Sequence, residues 1–262
     1  MKFMAESKKS LGQHWLNDSS ILQNIVRNAD IIPGDSVLEI GPGHGTLTEI
    51  LAKTGADITA LEFDQDLIPI LKLKFINTSQ VKIREGDIRT FNFDNMPKGY
   101  KIVANIPYYL TSHLIRSISE TSNPPSIAVL LIQKEVAERL CALPGQLSIL
   151  GVTAQYYFDC ELSIKVPAKF FTPPPKVDSQ VVKLSRKSQL KFDSKDEGEF
   201  FRLVKAGFSE KRKTLRNSLS GGLGIDKDMT VGLLRRASIN EGLRAQALSL
   251  DDWYRLYLES RK

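Results

Sequence analysis

Four consecutive residues, Asn105-Ile106-Pro107-Tyr108, carry the sharpest chemical signal in this 262-residue chain. An amino group on an aromatic ring is a poor nucleophile, because its lone pair is delocalised into the ring. It can attack an electrophilic carbon once acceptors hold both of its protons and the nitrogen pyramidalises. Asn105 offers a side-chain oxygen and Ile106 a backbone carbonyl for that purpose. Pro107 stiffens the turn, and Tyr108 presents a flat face on which an extruded base could stack. No strong general base is required, since the nitrogen loses its proton readily once alkylated and cationic. Taken alone, the same four residues could be a β-turn in which Asn and Pro serve only the backbone.

A second constellation lies upstream. Gly41-Pro-Gly-His-Gly45 falls where a strand gives way to a helix, so that backbone amides can approach a ligand closely. Such a turn serves NAD, FAD and S-adenosylmethionine alike, and is weak evidence alone. Its G-x-G-x-G spacing is shorter than the G-x-G-x-x-G that cradles a pyrophosphate, which favours a ligand without a diphosphate. Glu62, about 20 residues on, is placed to accept hydrogen bonds from ribose hydroxyls. Asp87, in Glu85-Gly-Asp-Ile88, could accept from the amino group of an adenine ring, with Ile88 packed nearby.

These residues need a frame that sets them side by side. Ser36–Ile40, Asp57–Glu62, Val81–Glu85, Lys101–Ala104 and Ile127–Ile132 read as buried strands. Helical patterns at Thr46–Ala52, Asp66–Lys74, Ser112–Ser119 and Glu135–Leu140 alternate with them. That alternation predicts a parallel sheet covered on both faces, with the candidate residues at the carboxyl ends of its strands. A helix over Ser148–Tyr157 and strands at Leu162–Val166 and Gln180–Leu184 follow, the strands separated by the stiff Pro173-Pro-Pro175 loop. Past Ser185 the pattern is helical: Phe201, Val204 and Phe208 share one face, and Ser249-Leu-Asp-Asp252 reads as a capping box ahead of Trp253, Leu256 and Tyr257. The expected organisation is a catalytic domain over 1–185 with a basic N-terminal segment, a linker over 186–195, and a helical domain over 196–262.

Composition is that of an ordinary globular protein, 42% hydrophobic and 25% charged. No apolar run approaches membrane-spanning length, and the polar, basic start has no secretion-signal core. Cys141 and Cys160 form no CxxC, and His14, His44 and His113 are scattered; no metal site and a reducing cytoplasm are expected. His44 and His113 read as ordinary loop and helix residues. The formal charge of +6 is unevenly spread: residues 1–185 carry 19 Lys+Arg and 19 Asp+Glu, and residues 186–262 carry 17 against 11. A solvated basic surface would look like this, and so would an appendage that neutralises phosphates. Lys211, Arg212, Lys213 and Arg216, within one or two expected helical turns, are the candidate RNA contacts, with Lys8 and Lys9 beside them.

The chain resembles the ribosomal RNA adenine N6-dimethyltransferases. The resemblance rests on Lys9-Ser-Leu-Gly-Gln-His-Trp-Leu16, Glu39-Ile-Gly-Pro-Gly43, Glu62, Gly86-Asp-Ile88, Asn105-Ile-Pro-Tyr108, Gln133-Lys-Glu-Val-Ala-Glu-Arg-Leu140, Phe171-Thr-Pro-Pro-Pro-Lys-Val-Asp-Ser179, Phe208 and Lys211-Arg-Lys-Thr-Leu-Arg-Asn217. It implies a Rossmann-like α/β fold with a seven-stranded sheet and a small all-α C-terminal domain. The implied donor is S-adenosylmethionine, without a metal, and the implied substrate is 16S rRNA within the small ribosomal subunit, acted on by a monomer. By the same resemblance His14 and Leu16 line the cofactor pocket with Gly41, Gly43, Glu62, Asp87 and Asn105, and Phe171 faces Tyr108 across the target adenine. Many relatives carry Asn where His14 stands. Other readings are a large-subunit rRNA methylase of the antibiotic-resistance type, a chiefly non-catalytic ribosome-assembly factor, and a dehydrogenase built on the same turn.

Overall fold

The computed structural model describes Lys8 and residues 11–262 of the chain. They form two compact units, one comprising the N-terminal part to Glu138 together with Phe158–Arg186, the other Arg139–Tyr157 together with Lys187–Lys262. The segment Arg139–Tyr157 thus groups with the C-terminal residues, whereas a catalytic domain over 1–185 was expected to hold it.

In the first unit the chain runs β1 (Trp15–Leu16), α1 (Ser19–Asn28), β2 (Ser36–Ile40), α2 (Thr46–Ala52), β3 (Asp57–Glu62), α3 (Leu67–Lys74), β4 (Val81–Glu85), β5 (Lys101–Asn105), α4 (Thr111–Glu120) and β6 (Ile127–Gln133). Helix α5 (Lys134–Leu140) spans the division between the units, and α6 (Ile149–Tyr157) belongs to the second. The first unit resumes with β7 (Phe158–Val166), β8 (Phe171–Thr172) and β9 (Ser179–Arg186). Seven strands make one sheet in the order β4-β3-β2-β5-β6-β9-β7. The pairings from β4 to β6 are parallel, and β9 runs antiparallel to both β6 and β7. The chain leaves β2 toward β3 and β4, then returns to β5 on the other side, so β2 and β5 flank the switch point where such sheets bind ligands.

Buried side chains on both faces explain the continuous apolar runs of the central strands. Ile21, Leu22, Ile25 and Val26 of α1 pack with Leu47 and Leu51 of α2, Leu67 and Leu71 of α3, and Val37, Ile58 and Val103 of the sheet. Helix α1, absent from the sequence reading, starts on Asp18, whose carboxylate accepts from the backbone N–H groups of Ser20 and Ile21. Strand β7 begins four residues earlier than Leu162; its polar stretch pairs only with β9, and so shows no core pattern.

The second unit is helical beyond Arg186: α7 (Ser194–Phe208), α8 (Leu215–Leu223), α9 (Lys227–Arg236) and α10 (Leu250–Ser260). Its core is aromatic, with Tyr156, Phe200 and Trp253 fully buried and Phe208 stacked on Trp253 at 5.6 Å. The capping box of Ser249 and Asp252 is formed, and Trp253, Leu256 and Tyr257 point inward. Among the described residues no helix is long and apolar enough to cross a membrane, and no group of three or more His, Cys, Asp and Glu could hold a metal.

Glu39 of β2 is an exception inside this core. It is 0% exposed, and neither carboxylate oxygen has a hydrogen-bond partner. Burial pushes its carboxyl up to about 8. The Glu62 charge acts in the same direction, whereas Lys74 and the Thr48 hydroxyl, which approaches without forming a bond of normal geometry, oppose it. In the unfolded chain the group ionises near its ordinary value, so the protein loses stability as pH rises from there through the folded value, and no more above it. Glu39→Gln removes that cost. Its melting temperature should match the wild type near pH 4.5 and exceed it increasingly toward pH 8, by at most a few kcal/mol in unfolding free energy; a constant offset across that range would contradict the assignment. A second expectation concerns Gly45, which caps α2 at φ 76°. A Cβ there would stand 2.7 Å from Phe75 Cε2 and 3.1 Å from Leu71 Cδ2. Gly45→Ala should therefore destabilise the protein by about 1–3 kcal/mol in chemical denaturation.

Candidate active site

The parallel register sets the candidate residues abreast. Ile40 at the end of β2 pairs with Leu61 on one side and Ala104 on the other, and Glu62 pairs with Glu85. The residues that follow all emerge at one edge of the sheet. They open into a cleft of about 1170 Å³, including its solvent-filled mouth. His14, Leu16, Gly41, Gly43, Glu62, Asp87, Ile88, Asn105, Ile106, Pro107, Tyr108 and Phe171 all line it. Gly41 lies against β5: a Cβ on it would be 3.7 Å from the Asn105 carbonyl oxygen.

Residues 11–16 form a strap along the cleft. Its two-residue strand β1 pairs antiparallel with β8, Leu16 opposite Phe171, which brings both into the lining. Further up the strap, Gln13 donates to Asp64 at 2.8 Å, and Lys8 pairs with Asp64 at 2.5 Å and Asp66 at 2.6 Å. Burial alone would raise the Asp64 carboxyl, but these donors hold it below its usual range. Lys8, expected to contact RNA phosphate, is paired with these two carboxylates of its own chain while its side chain stays 40% exposed. Lys9 lies outside the described residues.

His14 links three parts of the site. Its Nδ1 is 2.7 Å from the Pro173 carbonyl oxygen, which can only accept, so Nδ1 carries the proton. Its own carbonyl receives Asn105 Nδ2 at 3.3 Å. Because that partner too can only accept, the Asn105 amide orientation is fixed, and Oδ1 is left as an acceptor. Tyr108 is held by a 2.7 Å hydrogen bond between its hydroxyl and Ser179 Oγ, and burial raises its pKa. The His14 imidazole lies nearly parallel to the Tyr108 ring, 25° apart in plane with centroids 6.0 Å apart.

The carboxylates are organised differently from one another. Glu62 accepts from the backbone N–H groups of Gly43 at 3.1 Å, Phe63 at 2.9 Å and Asp64 at 2.8 Å. Burial pushes its pKa upward against those three donors. Asp87 is gripped by Arg89, whose guanidinium donates to both oxygens with contacts of 2.6–3.1 Å. Arg89 holds the Asp87 carboxyl below its usual range. Sequence reasoning did not single out Arg89, although its spacing of two residues from Asp87 was visible. Trp15, quoted only within a motif, and His44, read as an ordinary loop residue, also line the cleft, with rings at 4.0 Å in an edge arrangement. His44 has its pKa lowered by burial and by Lys74. His113 lies on α4, 3.3 Å from the Arg89 carbonyl.

The basic cluster is less regular than expected. Lys211, Arg212 and Lys213 are exposed in the loop between α7 and α8, not on a helix, and Arg216 is exposed in the first turn of α8.

The family model described as ribosomal RNA adenine dimethylase matches residues 4–262. Two relatives, each named ribosomal RNA small subunit methyltransferase A, come from Dehalococcoides mccartyi and Clostridioides difficile. The first is 38% identical over 261 residues, covering 98% of this chain and 89% of its own. The second is 39% identical over 261 residues, covering 96% and 90%. Among solved structures, a dimethyladenosine transferase from Plasmodium falciparum superimposes with a TM-score of 0.81 at 28% identity, covering 95% of this chain and 98% of that one. The 23S rRNA methyltransferase ErmE gives 0.78 at 25% identity, covering 95% and 100%. With a match spanning nearly its whole length and a cleft assembled from the motif residues, this chain belongs to the ribosomal RNA adenine dimethylase family.

Proposed function

We propose that this protein dimethylates the N6 amino groups of two adjacent adenosines near the 3′ end of 16S rRNA, with S-adenosylmethionine as donor, and that it acts in maturation of the small ribosomal subunit. The observation that carries this reading is the Asn105 amide. Its nitrogen is committed to the His14 carbonyl, so its oxygen remains to receive a proton of an adenine amine. The Ile106 carbonyl takes the other proton. The Tyr108 ring, anchored through Ser179, stacks the flipped base, and Phe171 bounds the cleft from β8. With both protons held, the nitrogen lone pair leaves conjugation and attacks; the proton is then shed to water.

The cleft fits the donor. S-adenosylmethionine would supply an electrophilic methyl carbon on a sulfonium that leaves as a neutral sulfide. Gly41 and Gly43 keep the floor free of side chains, and a Cβ at Gly43 would press on Trp15 at 3.3 Å. Glu62, with three of its roughly four acceptor positions filled by backbone N–H groups, keeps one for a ribose hydroxyl. Asp87, held ionised and in plane by Arg89, is the acceptor for the adenine amino group of the donor, with Ile88 and Leu16 as apolar walls. Lys211, Arg212, Lys213 and Arg216 would meet rRNA phosphates.

The small subunit is favoured by 38–39% identity to the small-subunit enzymes, against 25% to ErmE. Labelled S-adenosylmethionine and unmethylated small subunits should yield dimethyladenosine on nucleoside analysis, while large subunits should stay unlabelled; label in the large subunit alone would refute the proposed substrate. In the same assay Asn105→Ala should lose at least about 100-fold in methyl transfer, the scale on which removal of one polarising group acts. Subunit binding should remain nearly intact. Undiminished transfer by this variant would show that Asn105 does not activate the amine.

A further inference from the structure

Among the described residues only two Phe, Tyr or Trp side chains are exposed, Phe63 at 51% and Tyr109 at 60%, and both lie on the rim of the same cleft. Single exposed apolar residues are ordinary on protein surfaces; here position makes the difference. Phe63 follows Glu62 at the end of β3, on the side proposed for the donor. Tyr109 follows Tyr108 beyond β5, on the side proposed for the amine. We propose that Tyr109 is a second stacking platform, which carries the base of the nucleotide adjoining the flipped adenosine. The inference rests on the proposed RNA substrate and extends it by one nucleotide.

Three observations support it. First, Tyr108–Leu110 form a single 3-10 turn, so consecutive side chains diverge by about a third of a turn. Tyr108 turns inward to Ser179, and Tyr109 turns out to the mouth. Two rings adjacent in the chain thus meet, in order, the inside and the outside of the cleft, as two adjacent bases would when one is extruded. Second, the strap runs beside the Tyr109 ring: a Cβ built on Gly12 would stand in ordinary van der Waals contact with it, 3.6 Å from Tyr109 Cε1. Third, Arg89 also lines the cleft, half exposed, with Nε and Nη2 on Asp87. A flat, exposed aromatic face at the mouth of the cleft suits a base of single-stranded RNA. Flipping one adenosine strips its neighbour of a stacking partner, and Tyr109 would replace it.

The test compares wild type, Tyr109→Ala and Tyr109→Phe on unmethylated small subunits. Steady-state methyl transfer is measured alongside calorimetric S-adenosylmethionine binding and mass-spectrometric mapping of both adenosines. Tyr109→Ala should lower kcat/KM for the subunit by about 5- to 150-fold, the range expected for one lost base–aromatic stack. It should also raise the share of molecules modified at one adenosine only, with donor affinity and melting temperature retained. Tyr109→Phe keeps the ring and should stay close to wild type. Unchanged kcat/KM and an unchanged product ratio in Tyr109→Ala would overturn the proposal, as would a loss matched by weaker donor binding, which would mark Tyr109 as a support for the strap. If wild type transfers no methyl to small subunits, the proposed function itself fails, and this inference with it.

Discussion

The site depends first on backbone register. In a parallel ladder, hydrogen bonds fix which residues stand opposite each other, and Ile40 is locked between Leu61 and Ala104. A slip of one residue in either pairing would carry Glu62 or Asn105 out of line with the glycine turn and reverse which face of the sheet it addresses. The side chains at the strand ends can be placed well only because the strands beneath them are buried on both faces, with Val37, Leu38, Ile102 and Val103 all fully enclosed. Glu39 shows how strongly that packing is imposed: a carboxyl sits inside it at the expense of its own ionisation.

The sheet supplies one side of the cleft, and the strap completes it. Each of these strap contacts has an acceptor-only oxygen on one side. His14 meets a carbonyl through its ring and an amide through its own carbonyl. Lys8 and Gln13 meet the carboxylate of Asp64. Acceptor-only partners leave no ambiguity in the direction of these bonds, so the position of residues 11–16 and the orientation of Asn105 are set together. The contact to Asn105 comes from the His14 backbone carbonyl and would survive a change of side chain at that position.

The central strands, the helices between them and the strand-end residues were legible in the sequence, because periodicity and motif spacing are local properties. What escaped was non-local. Strands β1 and β8 are two residues each, too short for any alternation, and exist only through each other. Lys8 reads as a free cation until Asp64, 56 residues away, is brought to it. Arg89 reads as one more surface charge until it is seen across both oxygens of Asp87. The segment Arg139–Tyr157 follows the last parallel strand in the chain, yet its aromatic residues Tyr156 and Tyr157 pack with Phe200 and Phe201. Only the tertiary partner, and no feature of the segment itself, assigns it to the helical unit. The basic residues after Phe208 have helical spacing, but α7 stops at Phe208 and α8 starts at Leu215, so most of them fall in the loop between.

The electrostatics of the cleft bear on which ligand the glycine turn can accept. In dinucleotide-binding folds the turn amides and the helix N-terminus face a pyrophosphate. Here the Gly43 amide is already donated to the Glu62 carboxylate. Asp87 is held ionised at the next strand end. A diphosphate would have to displace a carboxylate from that amide and then remain beside it, with two negative groups in a partly buried space where their repulsion is poorly screened. S-adenosylmethionine carries no phosphate, and in the proposed roles its ribose and adenine would meet Glu62 and Asp87 without breaking the Gly43–Glu62 bond. The short glycine spacing and the carboxylate that occupies its amide both disfavour a diphosphate at this turn.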